Sequence, residues 1–172
     1  MEIVQIANLR ECRDVKELYQ ASFPKEEQVE FEKLFSGVFE GYEMFCIYDN
    51  NIIIALVHFK ELENFVHVNY LAVKEEYQNK GYGSEFLSFI KKRYNQKALV
   101  LDIEEIDENA QNYKNRIRRV NFYKKNGFKT GKYKFEWEGV LMTYMNTEKI
   151  DAEEFMKYIQ FVFPTIKNVR TK

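Results

Sequence analysis

Strand-like runs alternate with helix-like runs along the whole chain, and this order restricts the fold more than any other feature. The runs Tyr42–Tyr48, Asn51–Lys60 and Phe65–Val73 are rich in β-branched and aromatic residues, as strands usually are. Only Pro24 and Pro164 occur as prolines, and no Pro/Gly/Ser-rich linker divides the chain. The pattern therefore predicts an α/β fold, a single domain with a mixed sheet flanked by helices.

The remaining runs complete the predicted order βααβββαβαββα. Apolar residues recur at helical spacing within Glu11–Ser22, and Pro24 begins a second predicted helix that ends at Phe35. Gly127 follows the predicted helix Tyr113–Asn126 at the usual position of a left-handed C-cap. The other predicted helices are Ser84–Tyr94 and Ala152–Val162, and the other predicted strands are Ile3–Ala7, Ala98–Ile103, Phe128–Trp137 and Val140–Asn146.

Acidic and basic residues almost cancel, with 26 Lys and Arg against 27 Asp and Glu in 172 residues. A dedicated nucleic-acid-binding domain is usually strongly basic, so we expect no nucleic-acid partner. The hydrophobic fraction of 45% is too high for a disordered chain. Composition thus indicates a folded protein whose function has to be sought in its motifs.

The sequence carries no signal for a metal, a membrane or secretion. The two cysteines, Cys12 and Cys46, cannot form a disulfide framework and lack the spacing of a metal site. The first residues include charges and no apolar segment of the kind found in signal peptides. The longest apolar run, Ile52–Val57, is far shorter than the roughly 20 residues of a membrane helix. We therefore expect no metal, no membrane association and a cytoplasmic location.

Two glycines open the helix that follows the third central strand. Gly81 and Gly83 come after Gln78 in a polar loop, where the missing Cβ lets backbone N–H groups approach a ligand closely. The positive end of a helix dipole suits this loop to a phosphate or a pyrophosphate. A simple strand-to-helix turn is the alternative. The loop lacks both the Gly-Lys-Ser/Thr of a P-loop and the third glycine of a dinucleotide fingerprint, so phosphoryl and hydride transfer lose their main support.

Two motifs together resemble the GNAT (Gcn5-related N-acetyltransferase) superfamily. The residues Gln78-x-x-Gly81-x-Gly83 are similar to the acyl-CoA motif R/Q-x-x-G-x-G/A, and they follow a strand that ends in Leu-Ala-Val. About forty residues later, Val120–Phe128 resembles the family's helix-to-strand segment, in which an aromatic-Tyr pair precedes Gly-Phe. The two motifs lie in the order and at the separation that the family requires.

The resemblance implies a fold and domain limits. Residues 1–146 would form one domain with the acyl-CoA N-acyltransferase (GNAT) fold, in which a mixed, mostly antiparallel sheet is flanked by helices. Residues 147–172 lie beyond the match and contain a strongly aromatic helix. We expect this C-terminal extension to pack on the same domain, and a contact in a homodimer is the alternative.

The resemblance also implies an activity, the transfer of an acetyl group from acetyl-CoA to a primary amine of an acceptor. Tyr123 stands in the place of the family's general acid, which protonates the departing sulfur. A tyrosine that only packs on the sheet is the alternative. The strand end would bind the pantetheine arm through its backbone, and the loop amides would hold the pyrophosphate. The implied cofactor-binding residues are Leu71, Ala72, Val73, Gln78, Asn79, Lys80, Gly81, Tyr82, Gly83, Ser84, Arg116, Arg119, Phe122, Tyr123 and Lys125.

The general base is open among three residues. His67 lies on the strand where several family members place a Glu or His that takes the proton through water, and an imidazole titrates near neutral pH. A histidine that only sits on a sheet face is the alternative interpretation. Glu104 and Asp102 end the next strand, and some family members use a carboxylate there, which can serve if burial raises its pKa.

Charge is distributed unevenly around this second motif. Asp102–Glu108 contains five acids in seven residues, whereas Lys114–Lys134 contains nine Lys or Arg and no acid. Lys125 or Arg119 would neutralise the CoA phosphates, and the acidic loop would face a cationic amine. A solvated helix face beside an acidic loop is the alternative. Arg116 replaces the asparagine that many members carry seven residues before the tyrosine, and it would bind an anion of CoA or a carboxylate-bearing acceptor.

A second function class is a catalytically silent acyl-CoA-binding module that acts as a sensor or a scaffold. Both classes predict acetyl-CoA binding, but only the enzyme predicts release of free thiol in the presence of an amine. The acceptor pocket of the family lies in variable loops, so the sequence does not specify the acceptor.

Overall fold

The computed structural model describes residues 2–7 and 12–169, which form two compact units, Met1–Gln96 and Lys97–Lys172. The predicted helix start at Glu11 and the last residues of the predicted extension, 170–172, lie outside the described residues. Across the described part of the chain, every helix is too short or too polar to cross a membrane.

The first unit is an antiparallel sheet with two α-helices. Its strands lie in the order β1-β2-β3-β4, and each pairs antiparallel with the next. Asn50 and Asn51 take positive φ angles of 49° and 60° in the tight turn between β2 and β3, as residues of tight β-hairpin turns often do. The elements are β1 (Glu2–Gln5), α1 (Arg13–Ser22), β2 (Glu43–Asp49), β3 (Ile52–Glu61), β4 (Phe65–Val73) and α2 (Tyr82–Arg93).

Both helices of this unit bury an apolar face against β3 and β4. Val15, Leu18 and Tyr19 are the buried residues of α1, at the i, i+3, i+4 spacing of one helix face. The buried side chains of α2 are Phe86, Leu87 and Ile90, together with Gly83. The helical spacing in the sequence therefore identified the faces that form the core.

The predicted helix from Pro24 to Phe35 is wrong. This segment forms two short 3₁₀ turns instead, Lys25–Glu27 and Phe31–Phe35, and a third, Gly37–Phe39, follows it. Side chains from elsewhere bind its backbone: the Tyr19 hydroxyl lies 3.0 Å from the carbonyl oxygen of Val29 and 2.9 Å from its amide nitrogen. The Tyr70 hydroxyl donates to the Glu27 carbonyl at 2.8 Å. Backbone groups satisfied in this way no longer need a helical ladder.

The second unit is also antiparallel, with the strand order β5-β7-β6-β8. The strand β8 was not predicted, because its three residues include a lysine and an asparagine and show no apolar pattern. The elements are β5 (Ala98–Glu104), α3 (Tyr113–Lys125), β6 (Lys129–Trp137), β7 (Val140–Asn146), α4 (Ala152–Val162) and β8 (Lys167–Val169).

The C-terminal segment packs on the sheet of this second unit. The rings of Phe155 in α4 and Tyr144 in β7 lie 5.3 Å apart, and Phe163 contacts Trp137 at the same centroid distance. The Tyr144 ring also lies against Gly131 of β6, where a Cβ atom would come within 2.0 Å of the ring. The predicted domain boundary at residues 146 and 147 stays a prediction.

Candidate functional site

The loop between β4 and α2 has a backbone conformation that glycine makes possible. Gly81, the N-cap of α2, has φ 97° and ψ −11°, which is left-handed, and Asn79 is also left-handed with φ 62°. A Cβ atom on Gly81 would meet no atom within 4 Å, so the backbone angle and not crowding selects glycine here. The Gln78 side chain closes the loop by donating from Nε2 to the Val73 carbonyl at 3.1 Å.

The first turn of α2 presents free N–H groups. No side chain caps this helix in the described structure, and the first N–H groups of a helix have no intrahelical acceptor. These groups belong to Tyr82, Gly83 and Ser84, and the partial positive charge of the helix end adds to them. The predicted pyrophosphate-binding residues from Gln78 to Ser84 are thus gathered in one turn that suits an anion.

Lys80 adds a cationic side chain to this turn. Its Nζ atom lies 4.9 Å from the ring centroid of Tyr77, a cation–π distance. The Tyr77 ring in turn meets the Tyr82 ring edge-on at 6.1 Å. The Tyr77 ring therefore orients the ammonium group of an exposed lysine at the helix N-terminus.

The predicted pantetheine-binding residues Leu71–Val73 form the end of β4. One edge of this segment pairs with Ala55–Val57 of β3. Just before this segment the register of the β3–β4 pair shifts, because Tyr70 lies opposite His58 whereas Val68 lies opposite Phe59. Asn69 is therefore the extra residue of a β-bulge.

The bulge is held by a buried histidine that sequence reasoning missed. His58 is fully buried, and its Nε2–H donates to the Leu34 carbonyl at 2.9 Å. Its other nitrogen, Nδ1, then accepts from the Asn69 amide at 3.2 Å. Burial lowers the pKa of His58 to about 3, so the imidazole is neutral at physiological pH. His58 lies inside an apolar run of the sequence, and its hydrogen bond with Asn69 of the next strand cannot be seen from that run alone.

His67, the predicted base, is also fully buried. Its Nδ1 atom lies 3.1 Å from the Tyr42 hydroxyl, and the Tyr42 ring stacks on His58 with a centroid distance of 4.6 Å. A water-linked base has to exchange a proton with water, and this imidazole has no exposed surface. The burial favours the alternative interpretation, a histidine packed on a sheet face, and the catalytic role stays a prediction.

Tyr123, the predicted acid, lies on the third turn of α3 in the second unit. The residue is buried, and its ring contacts Phe122 and Phe128 at centroid distances of 5.1 and 5.5 Å. Burial raises the pKa of Tyr123 to about 12, while the charge of Arg119 lowers it and that of Asp102 raises it by smaller amounts. The hydroxyl is consequently protonated at neutral pH, which is the state that a proton donor requires.

Glu104 is the centre of an ion-pair network between β5 and α3. Its Oε1 atom binds Arg116 Nη2 at 2.9 Å, its Oε2 atom binds Arg119 Nη2, and the Asn112 amide donates to both oxygens. Arg116 also donates to Asn112 Oδ1 at 2.7 Å and to the Glu105 carbonyl at 2.8 Å. The side chains of Glu104 and Arg116 are only 8% and 11% exposed, so this network is an internal feature of the unit.

The acidic loop and the basic segment neutralise each other in part. Besides the pairs of Glu104, Lys134 binds Glu105 at 3.3 Å. Predicted anion-binding Arg116 and Arg119 are thus engaged by a carboxylate, whereas Lys125 is exposed. The remaining basic residues of the segment are exposed as well, namely Lys114, Arg118, Lys124, Lys129 and Lys132.

A metal site is not found in the described part of the chain, since it contains no group of three or more His, Cys, Asp or Glu side chains placed around a common ion.

The sequence profile of the acetyltransferase (GNAT) domain matches residues 40–130, which is more than half of the chain. The chain belongs to the GNAT acetyltransferase family. The matched residues include the glycine loop and Tyr123, so the predicted family is confirmed on the two motifs that suggested it. The activity class is therefore acyl-CoA-dependent acetyl transfer. None of the curated proteins compared matches the sequence.

Solved GNAT structures share the fold. A GNAT-family acetyltransferase from Bacteroides thetaiotaomicron superposes with a TM-score of 0.72 at 23% identity, covering 96% of this chain and 98% of the other. An aminoglycoside 6′-N-acetyltransferase in complex with coenzyme A gives 0.67 at 13% identity, covering 88% and 100%. A GNAT acetyltransferase from Elizabethkingia anophelis with bound acetyl-CoA gives 0.60 at 18% identity, covering 86% and 98%. The predicted fold class is confirmed.

This GNAT acetyltransferase also contains site-adjacent residues that no motif revealed. Asn112 binds Glu104 from the start of α3, and Asn69 and Tyr42 bind the two buried histidines. Each of these contacts joins residues that are eight or more positions apart, so local spacing carries no signal for it. The only indication in the sequence was the neighbouring acidic and basic clusters, which pair in the second unit.

Proposed function

We propose that this GNAT acetyltransferase transfers the acetyl group of acetyl-CoA to a primary amine of its acceptor. The observation that carries the proposal is the uncapped N-terminus of α2 behind left-handed Gly81, an anion site of the kind that a CoA pyrophosphate needs. Family membership supports acetyl transfer in general. The shared fold of an aminoglycoside 6′-N-acetyltransferase with coenzyme A supports nitrogen as the acceptor atom.

The cofactor would be bound mainly by backbone groups. The pyrophosphate accepts hydrogen bonds from N–H groups at the start of α2, with Lys80 as a neighbouring cation. The pantetheine arm adds alongside Leu71–Val73 at the strand edge that β3 does not occupy. Lys125, which is exposed, is the predicted side chain for the remaining phosphate charge, because Arg116 and Arg119 are bound to Glu104.

The chemical step needs one proton removed and one proton added. The neutral amine attacks the thioester carbonyl, the C–S bond breaks with its electron pair on sulfur, and Tyr123 donates its hydroxyl proton to give CoA thiol. The proton from the amine nitrogen passes to a base. His67, Glu104 and Asp102 are the candidates. Two of them are disfavoured as bases: His67 is buried, and Glu104 is bound to two guanidinium groups that stabilise its anionic form.

Thiol release from acetyl-CoA with a panel of primary amines tests the proposal. We expect Tyr123→Phe to lower kcat by about 10²-fold or more, the usual contribution of a general acid. The Kd for acetyl-CoA should stay within about twofold, because the phenyl ring preserves the packing against Phe128. Tyr133→Phe is the matched control, since Tyr133 is an exposed tyrosine of the same unit. Equal kcat in wild type and Tyr123→Phe would remove Tyr123 as the acid.

Calorimetry with acetyl-CoA separates the enzyme from the silent module. An acetyl-CoA-binding protein that releases no thiol with any amine would be a sensor or a scaffold. A protein that binds no acetyl-CoA would contradict both functions, since both depend on the α2 anion site.

The charge of the acceptor is testable on the acidic loop. Glu104 and Glu105 bind basic side chains, so Asp107 and Glu108 are its exposed carboxylates. For a cationic amine we expect Asp107→Lys to raise KM for the amine while leaving the Kd for acetyl-CoA unchanged. An unchanged KM would exclude the loop as a substrate site, and a lower KM would indicate a carboxylate-bearing acceptor.

A further inference from the structure

Three side chains of α3 share one face, and the fold gives each a partner on β5. Asn112, Arg116 and Arg119 follow one another at spacings of four and three residues, and all three bind the Glu104 carboxylate. Tyr123 continues the same face one turn after Arg119. The catalytic tyrosine of the proposed function is therefore the next residue along a face on which an ion pair is already fixed.

The two arginines differ in exposure. Arg116 is 11% exposed and binds Glu104, Asn112 and the Glu105 carbonyl. These three contacts anchor Arg116 in the network. Arg119 is 38% exposed and is bound through Nη2 to Glu104. Arg119 thus carries a positive charge that is held in place at one end while it neighbours the turn of Tyr123.

Asp102 lies on the same face of β5 as Glu104, because residues i and i+2 of a strand point to one side. Its charge and that of Arg119 act on the Tyr123 hydroxyl with opposite sign. Burial destabilises the phenolate of Tyr123, and the positive charge of Arg119 offsets part of this cost. Removal of the Arg119 charge would leave only burial and Asp102, both of which oppose loss of the proton.

We propose that Glu104 and Arg119 are positioning residues, in which Glu104 fixes the Arg119 guanidinium beside Tyr123 so that its charge stabilises the tyrosinate formed during acetyl transfer. The inference rests on the proposed function, in which Tyr123 is the acid. It also gives Arg119 a role other than the one predicted from sequence, which was neutralisation of a CoA phosphate.

The step that the ion pair serves is balanced in atoms and charge. As the C–S bond breaks, the thiolate takes the proton from the Tyr123 hydroxyl, leaving CoA thiol and a tyrosinate. The Arg119 cation faces this new anion while Glu104 retains its own pairing with Arg116. The tyrosinate regains a proton from solvent before the next turnover, since Tyr123 keeps 9% exposure whereas His67 has none. The proton lost by the amine leaves through the base.

A double-mutant cycle on the full chain tests the inference. We expect Arg119→Gln to lower kcat about tenfold, which corresponds to one pKa unit of lost stabilisation of the tyrosinate. The same substitution in a Tyr123→Phe background should change kcat by less than about twofold, because no tyrosinate forms there. Arg119→Lys should recover kcat to within about threefold, since it keeps the charge and loses only the guanidinium geometry.

Glu104→Gln and Arg118→Gln complete the test. Glu104→Gln should lower kcat as Arg119→Gln does, and the two together should be less than multiplicative if they act as a unit. Arg118 is exposed and outside the network, so Arg118→Gln is the matched control and should leave kcat unchanged. Where Glu104→Gln does not fold, the cycle between Arg119 and Tyr123 decides the question alone, because Arg119 is the more exposed partner.

The outcomes separate the inference from the proposed function. If Tyr123→Phe retains full kcat, the acid assignment of the proposed function fails. If Tyr123→Phe is impaired but Arg119→Gln costs the same factor in both backgrounds, the positioning role alone is overturned. A rise in KM and Kd for acetyl-CoA in Arg119→Gln at constant kcat would overturn it as well and would return Arg119 to cofactor binding.

Discussion

The first N–H groups of α2 and α4 have no acceptor within their own helix, and the two helices differ in whether a side chain binds these groups. At α4 the Asp151 carboxylate accepts hydrogen bonds from the amides of Glu153 and Glu154 at 2.9 and 3.3 Å. At α2 the N-cap is Gly81, and no side chain serves these amides in the described structure. A side-chain cap satisfies the first N–H groups of a helix, whereas a helix start without one leaves these groups available to water or to a ligand.

If α2 binds the cofactor as proposed, this difference separates a ligand-binding helix start from a self-capped one, although both helices follow a sheet strand. The first turn of α4 contains a cap and two further carboxylates, so it repels an anion. The first turn of α2 follows two left-handed residues, Asn79 and Gly81, and a Cβ atom on Gly81 would meet no atom within 4 Å. If the comparison is right, substitutions at α2 should change cofactor binding, and substitutions at α4 should change stability.

The largest effect is expected for Gly81→Ala. A side chain at φ 97° costs about 1–2 kcal/mol, so the loop should leave the conformation that aims its amides. We expect the Kd for acetyl-CoA to rise about tenfold, or about 1.4 kcal/mol, in calorimetric titrations. Gly139→Ala is the matched control, because Gly139 has φ 79° and also has open space around it, but lies in the β6–β7 turn. Equal weakening of binding in both variants would contradict a specific role for the α2 loop.

Inorganic pyrophosphate tests the anion site without the rest of the cofactor. A ligand that binds only the folded state stabilises it by about 1.4 kcal/mol at a concentration tenfold above its Kd. We expect pyrophosphate to raise the melting temperature of wild type and of Gly139→Ala, but not of Gly81→Ala, in thermal unfolding experiments. An equal shift in all three proteins would indicate binding elsewhere on the surface.

A smaller effect, on stability alone, is expected for Asp151→Ala. Loss of an N-cap costs about 1 kcal/mol, because two amides of α4 lose their acceptor. Urea unfolding should report this loss, whereas the Kd for acetyl-CoA should not change. Asp151→Ser should restore most of the stability, and a variant that loses cofactor affinity instead would remove the contrast between the two helices.

The smallest effect is expected for Lys80→Gln. The ammonium group is exposed and is oriented by the Tyr77 ring, so its contribution to pyrophosphate binding is screened by water and salt. We expect the Kd for acetyl-CoA to rise about threefold at low salt and less at high salt, consistent with about 0.5–1 kcal/mol for such a contact. An effect as large as that of Gly81→Ala would show that side chains, and not backbone amides, dominate the site.

The fold was largely predictable from the sequence because most elements carry their own pattern. The strands Phe65–Val73 and Val140–Asn146 and the helix Ala152–Val162 have the predicted bounds, since β-branched residues and helical spacing mark them locally. The helix prediction for the segment from Pro24 to Phe35 is wrong because residues outside the segment determine its conformation. Tyr19 and Tyr70 bind its backbone, and neither is visible in a local window.

The same distinction between local patterns and distant contacts applies to the residues of the candidate site. Gly81 was identified correctly as the opening of α2, because a left-handed N-cap restricts the residue type and so leaves a mark in the sequence. Arg116 and Arg119 were identified only as cations near the second motif. Their partner Glu104 precedes them by 12 and 15 positions on another element, and a charge has no local signature of what it will pair with.

The contact between Gly131 and Tyr144 limits which sequences can adopt this fold. Because a Cβ at residue 131 would overlap the ring that supports Phe155 of α4, any side chain there displaces the tyrosine and loosens the terminal helix. A designer who wishes to place alanine at residue 131 has to shrink residue 144 in the same step. Residues 131 and 144 can therefore change only together, and the packing of the C-terminal helix depends on both.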